Sequence, residues 1–198
     1  MKNKISILLK ILGLVLIAGS LFLAGYNFIT DYLAGVKSRD ALEKILPVIE
    51  KRRIDEEKSY DPNSDMPTTL IDGYSYIGVI TMESVGIQLP VLSEYSQSNL
   101  NIAPTRYKGS IYQDNAIIIA HNTMSHFKKI ENLNIGDTVI FEDVNANVFQ
   151  YEVIYTERIS EKDIDLMVQG DWDLTLFTCS SNLNFRSTVR LKRLDKEI

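Results

Sequence analysis

A single cysteine, Cys179, is the residue of this chain best suited to nucleophilic chemistry. It ends the strand-like run 174–179 and is followed by turn-forming residues. A strand fixes the backbone on one side of the thiol while a loop leaves the thiol accessible, which is what a positioned nucleophile requires. A lone cysteine is more often a small buried apolar residue, so its position alone leaves both interpretations open.

Two further side chains could complete such a site. His121 follows the apolar run 116–120, whose unbroken hydrophobicity predicts a strand covered on both faces. An imidazolium beside a thiolate stabilises it and can later protonate a leaving amine. Arg186 begins the strand that follows Cys179, and if the two strands pair, its guanidinium can stabilise an oxyanion or align a substrate. Arg190 shares that face but lies about 13 Å farther along the strand, so Arg186 is the better candidate.

Net charge and residue types exclude some classes of partner and ligand. The net charge of -5 provides no basic stripe for phosphates, which argues against a nucleic-acid partner. One cysteine cannot form a disulfide within the chain. A metal site built from His121, His126 and Cys179 is an alternative use of these side chains, but they lack a compact ligand spacing. The sequence therefore predicts no metal site.

The N-terminal region predicts a membrane anchor. Residues 11–29 are almost entirely apolar and would span roughly 28 Å as a helix, close to the hydrocarbon thickness of a bilayer. Lys2, Lys4 and Lys10 precede the run, so the positive-inside rule predicts a cytoplasmic tail at 1–10 and an extracellular domain after the anchor. A cleaved signal peptide is the alternative, but the run is long and lacks a clear small-x-small cleavage site.

Residues 30–70 predict a juxtamembrane helix and a linker. Apolar residues at helical spacing from Leu42 to Ile49 indicate the helix, and Pro47 predicts a kink or break in it. Its expected role is a stalk, with a regulatory lid as the alternative. The stretch 59–69 has turn-forming residues without periodicity and is predicted to be a linker.

The remaining residues, 71–198, predict a mostly β domain. Short strand-like runs punctuated by glycine, asparagine and aspartate favour a barrel or sandwich over alternating βαβ units. One helix is predicted over 123–133, with Asn122 or Thr123 as its N-cap. The predicted strands are 76–81, 88–92, 116–120, 138–142, 149–156, 174–179 and 187–194.

Several of these segments resemble the sortase family. The residues Thr-Leu-Phe-Thr-Cys at 175–179 match its Thr-Leu-x-Thr-Cys signature, and Arg186 stands where the family has its arginine. Residues 117–122, Ile-Ile-Ile-Ala-His-Asn, are similar to its histidine strand, although sortases commonly have glycine in place of Ala120. The similarity extends from about residue 76 to 194. It implies a closed β-barrel of about eight strands with short helices.

The resemblance also implies an activity. Cys179 would attack the threonine carbonyl of a Leu-Pro-x-Thr-Gly-like sorting motif, and an amine would resolve the resulting thioester. His121 would act as general acid and then base, Arg186 would stabilise the oxyanion or hold the substrate, and Thr178 would line the substrate groove. The implied partners are surface proteins with a C-terminal sorting signal and a peptidoglycan precursor or other amine acceptor. The implied transpeptidation needs no cofactor, and the implied location is the Gram-positive cell surface.

Four alternatives accompany this interpretation. The chain ends in a charged tail and has asparagine after Asp61-Pro62, where pilus-building sortases often have a C-terminal membrane helix and an Asp-Pro-aromatic lid. These departures favour anchoring to the wall over pilin polymerisation. A papain-like enzyme would commonly have its cysteine before the histidine, and the motif of L,D-transpeptidases is absent. A membrane-anchored β-barrel binding module without catalysis is the non-enzymatic alternative.

Overall fold

One uninterrupted helix, α1 (Lys2–Asp55), begins the chain in this computed structural model, which describes residues 2–55, 60–179 and 184–195. Contacts divide the chain into two units, residues 1–33 and 34–198. An 18-residue window of α1 has a mean hydropathy of 2.5 and is not buried, so this apolar helix could span a membrane. The helix is not broken at Pro47, because Ile45 and Ile49 on either side are buried against the barrel and offset the cost of the proline.

Nine strands follow in the part of the chain that the structure describes, and eight of them close into a barrel. The hydrogen-bonded order is β1-β2-β3-β4-β5-β8-β9-β7-β6, and β6 also pairs with β2, so β1 lies outside the closed ring. This confirms the predicted closed barrel of about eight strands. The strands are β1 (Thr69–Ile71), β2 (Tyr74–Met82), β3 (Ile87–Leu92), β4 (Thr105–Lys108), β5 (Ala116–Ile119), β6 (Thr138–Asp143), β7 (Val148–Ser160), β8 (Leu174–Cys179) and β9 (Phe185–Arg193).

The helices that follow α1 in the second unit are short. The predicted helix over 123–133 is wrong, because only Phe127–Asn132 is helical, as a 3₁₀ helix without a side-chain cap. The Thr123 hydroxyl lies 3.1 Å from the Ser125 hydroxyl instead of capping the helix, and the Phe127 amide donates to the His121 carbonyl. This local turn therefore replaces the first helical turns. The other short helices are α2 (Gln97–Leu100) and the 3₁₀ helices Glu83–Val85 and Glu161–Met167.

Clusters of buried apolar residues stabilise the second unit, and two of them are large. The larger fills the barrel interior, where alternate residues of each strand point inward. The second lies between α1 and the barrel and contains Ala41, Ile45 and Ile49 of the helix. Burying two isoleucines removes enough apolar surface from water to contribute about 3–6 kcal/mol. The barrel residues of this second cluster are Ile71, Tyr76, Val79, Leu92, Ile102, Ala103, Val144 and Ala146.

The segment after α1 packs on the barrel. The Tyr60 ring lies 4.8 Å from the Tyr112 ring and 5.1 Å from the Phe149 ring, centroid to centroid. The Arg193 guanidinium lies over the same Tyr60 ring. Arg193 ends β9, whereas Arg186 lies near its beginning, and seven residues of strand span about 23 Å. Tyr60 and its neighbours therefore dock at the end of β9 remote from Arg186.

Candidate active site

The two strands that precede His121 and Cys179 are parallel neighbours. β5 pairs with β8 so that Ile119 lies opposite Phe177, two residues before His121 and Cys179 respectively. The Ala120 amide donates to the Phe177 carbonyl at 3.3 Å, which extends the pairing beyond β5. Since parallel neighbours lie about 4.8 Å apart, the histidine and the cysteine leave adjacent strands at the same level. The structure therefore brings these two predicted residues together.

Arg186 lies on the other side of Cys179. The antiparallel ladder of β8 and β9 pairs Cys179 directly with Arg186, as the sequence predicts for neighbouring strands. Paired side chains share one face of a sheet. Arg186 is 21% exposed and lies 3.9 Å from the Glu161 carboxylate. Cys179 is half-buried. Its strand lies between β5, which leads to His121, and β9, which carries Arg186. Of the loop predicted over 180–184, residues 180–183 lie outside the described residues.

Two further side chains lie beside His121: Asn101, which the sequence did not mark for chemistry, and His126, which it offered only as a metal ligand. The Nε2 atom of His121 lies 2.9 Å from the Asn101 Oδ1 atom, so an Nε2–H donates to the amide oxygen and Nδ1 is left to exchange a proton. The His126 ring is buried and stacks parallel to the His121 ring at 6.4 Å. Burial lowers the pKa of His121, which favours its neutral form. No sequence motif marks Asn101, which precedes His121 by twenty residues.

Thr178 differs from its predicted role. It was expected to line a substrate groove, but its side chain is fully buried on the face of β8 opposite to Cys179. Its hydroxyl donates to the Ala120 carbonyl at 2.8 Å. The observed contact therefore fastens the cysteine strand to the residue that precedes His121.

Arg190 is structural in its contacts. It is 2% exposed, and its guanidinium donates to Thr175, Glu157 and the Leu166 and Met167 carbonyls at 2.8–3.0 Å. A buried guanidinium that is satisfied in this way is fixed in place. It holds the end of the 3₁₀ helix Glu161–Met167 against β8 and β9, and these bonds occupy the donors that a substrate would need.

Buried apolar side chains lie near Cys179 on the face of β8 and β5 that is turned away from the barrel interior. Phe177 packs there with Ile117, and the Tyr107 ring meets the Phe177 ring edge-on at 5.5 Å. Beyond Tyr107 a surface groove of about 540 Å³ is lined by residues 93–95 and 106–109. Among the described residues, no group of three or more histidine, cysteine, aspartate or glutamate side chains is arranged to hold a metal ion.

A thiol, an imidazole and a guanidinium at adjacent strand ends suit acyl transfer at a carbonyl. The Sortase domain family matches residues 80–193, which include all three of these residues. The chain belongs to the sortase family. Sortases are cysteine transpeptidases of the cell surface.

This chain is similar in sequence to one known sortase and in fold to others. The chain is 26% identical over 186 residues to Sortase A of Bacillus anthracis, covering 89% of this chain and 86% of the relative. Its fold is similar to that of Streptococcus pneumoniae Sortase C, with a TM-score of 0.56, 18% identity and coverage of 84% of this chain and 95% of the other. A Clostridium perfringens Sortase D5 transpeptidase gives a TM-score of 0.56 and 20% identity, with coverage of 80% and 96%.

Proposed function

We propose that this sortase cleaves a Leu-Pro-x-Thr-Gly-like sorting motif and joins the upstream protein to a cell-wall amine. The observation that carries the proposal is the pairing of Cys179 with Arg186 on one side and, on the other, the parallel pairing of β8 with β5, which ends two residues before Cys179 and His121. A nucleophile, a proton carrier and a fixed positive charge within neighbouring-strand distance are the groups that acyl transfer needs.

In the first half-reaction, the Cys179 thiolate attacks the threonine carbonyl carbon and a tetrahedral oxyanion forms. The Arg186 guanidinium stabilises this negative charge or fixes the carbonyl that carries it. The C–N bond then breaks, and the His121 imidazolium gives its proton to the leaving amine. The product is a thioester between Cys179 and the substrate threonine, and the downstream peptide departs.

In the second half-reaction, an amine attacks the thioester carbonyl. The neutral His121 accepts the amine proton, the C–S bond breaks, and the Cys179 thiolate returns with the imidazolium. A histidine whose pKa is lowered by burial readily gives up its proton after the first step, so it is available as a base for the second. The Nε2 contact with Asn101 holds the ring so that Nδ1 exchanges the proton in both steps.

The proposed location is the outer face of the membrane. Residues 11–29 form the span, residues 1–10 the cytoplasmic tail and residues 30–70 the juxtamembrane segment, with the catalytic domain after them. The lysines before the span support this orientation. The docking of Tyr60 at the end of β9 remote from Arg186 supports an active site that is not covered by the stretch around Asp61-Pro62. It therefore favours wall anchoring over a lid-regulated pilin polymerase.

The test uses the full chain in detergent with quenched peptides that vary the motif, and with glycine-type and lysine-type amines as acceptors. We expect cleavage and amide formation by the wild type, no turnover with Cys179→Ala, and a loss of about a hundredfold or more with Arg186→Ala. Arg158→Ala is the matched control, because Arg158 is exposed on β7 and pairs with Ser187, away from the face of Cys179. Equal turnover by Cys179→Ala and wild type would refute the proposal, and a preference for lysine-type acceptors would favour polymerisation.

A further inference from the structure

The buried face of the second half of α1 has small side chains at one end and large side chains at the other. The buried positions are Gly35, Ser38, Ala41, Ile45 and Ile49, at helical spacing. The first three are small and the last two are large. Small residues let a helix backbone approach its neighbour closely, whereas the isoleucines fill apolar space. The small end of this face therefore allows α1 to approach a neighbouring segment closely.

The closest approach is at Gly35. A Cβ atom at this position would lie 2.9 Å from the Ser125 Cβ atom, which is closer than two carbons can pack. Ser125 belongs to the turn that follows His121, in which the His126 amide donates to the Thr123 carbonyl at 3.0 Å. The same turn is tied back to the active site, because the Phe127 amide donates to the His121 carbonyl at 3.0 Å. α1 therefore presses on the segment that carries His121.

The same face of α1 also packs next to Asn101, which is hydrogen-bonded to His121. Ile45 and Ala41 share an apolar cluster with Ile102 and Ala103, the two residues that follow Asn101. Both of these residues are bonded through their amides to the Asn99 carbonyl, at 2.8 and 3.2 Å, so the segment is rigid. One face of α1 thus contacts the segments on both sides of the hydrogen bond between His121 and Asn101.

We propose that residues 35–45 of α1 are a positioning element for the catalytic histidine, and that Gly35 is glycine because the His121 turn occupies the space of its side chain. The change in kcat that we expect from this proposal rests on the proposed function. Adding a side chain at Gly35 must displace either the helix or the turn, and the turn carries the proton-transfer group. Displacements of this size affect catalysis more than stability, because proton transfer depends steeply on geometry.

The experiment compares Gly35→Ala and Gly35→Val in the full chain in detergent with a rescue variant, Gly35→Ala combined with Ser125→Gly. Gly25→Ala is the matched control on the same helix, since nothing lies within 4 Å of the position of its added Cβ atom. We expect kcat to fall about tenfold for alanine and up to a hundredfold for valine, with KM within about twofold. The rescue variant should return to within about threefold of wild type, because it removes the clashing Cβ and Oγ atoms.

A second readout is independent of any peptide. The chain has two histidines, so a chain with labelled histidine rings gives two NMR signals, and we expect the His121 signal to move in Gly35→Ala and to return in the rescue variant. A merely structural role predicts that the clash in Gly35→Ala lowers the unfolding temperature, although alanine is the better helix former, and that kcat is unchanged. That result, or a loss of kcat that Ser125→Gly does not restore, would overturn the proposal. If no peptide is cleaved by the wild type, the proposed function fails while the NMR comparison still decides this inference.

Discussion

Two buried threonines allow a matched test of how the active-site strands are joined. Thr178 and Thr105 are each 0% exposed. The Thr178 hydroxyl donates to the Ala120 carbonyl at 2.8 Å, whereas the Thr105 hydroxyl has no hydrogen-bond partner among the described residues. Replacement by valine keeps the shape of the side chain and removes only the hydroxyl. The two substitutions therefore isolate the hydrogen bond.

For Thr178→Val the carbonyl of Ala120 loses this donor inside the protein, which costs about 1–3 kcal/mol. For a unit of this size each kcal/mol corresponds to about 2–4 °C in Tm, so we expect a decrease of about 2–12 °C. Thr105→Val removes a hydroxyl that is buried without a partner, and we expect no decrease or a small increase in Tm. Because Ala120 precedes His121, we also expect kcat to fall about tenfold or more in Thr178→Val only.

The assay is thermal unfolding of the full chain in detergent, followed by peptide turnover below the transition. Thr178→Ser serves as an additional control, because it keeps the hydroxyl and loses one methyl group, about 1 kcal/mol. We expect this variant to retain kcat within about threefold. Equal changes in Tm and kcat for the two valine variants would refute the reasoning that the Thr178 bond joins the strands.

Two further substitutions and one truncation test other contacts. Asn101→Asp places a carboxylate beside the His121 ring and should raise the pKa of His121 by about one unit or more, measured by NMR titration of the ring; an unchanged midpoint would contradict the contact. Arg190→Met leaves buried acceptors unpaired and should destabilise the fold by about 3 kcal/mol, whereas the exposed Arg158→Met should have little effect in the same denaturation experiment. A chain that begins at Tyr60 lacks the packing of α1 and should unfold at lower temperature and bind more of an apolar dye than a chain that begins at residue 34; equal Tm values would exclude this stabilising role.

The barrel was largely predictable because its strands are regular. Seven predicted runs correspond to β2, β3, β5, β6, β7, β8 and β9, since alternating or continuous apolar residues mark a buried strand face. β1 and β4 were not predicted, because they have only three and four residues, too few for a period of two to appear. The 3₁₀ helix Phe127–Asn132 shows the opposite error, since apolar spacing alone does not distinguish it from a longer α-helix that local turn bonds prevent.

The candidate site was predictable in part for the same reason. The proximity of Cys179 and Arg186 follows from two consecutive strands and a short connection, and the register confirms it. The assignment of His121 needed the family signature, because β5 and β8 are far apart in sequence. The contact of His121 with Asn101 and that of Gly35 with Ser125 were not predictable, since each joins segments that only the tertiary fold brings together. Their catalytic roles remain predictions.

The most direct test of the proposed mechanism is the mass of the full chain after incubation with a sorting peptide and no added amine. The proposed mechanism predicts a covalent adduct equal in mass to the acyl fragment that ends in threonine. Peptide mapping should locate this adduct on Cys179, and an added amine should release it. An adduct on another residue, or peptide cleavage that persists in Cys179→Ala, would contradict it.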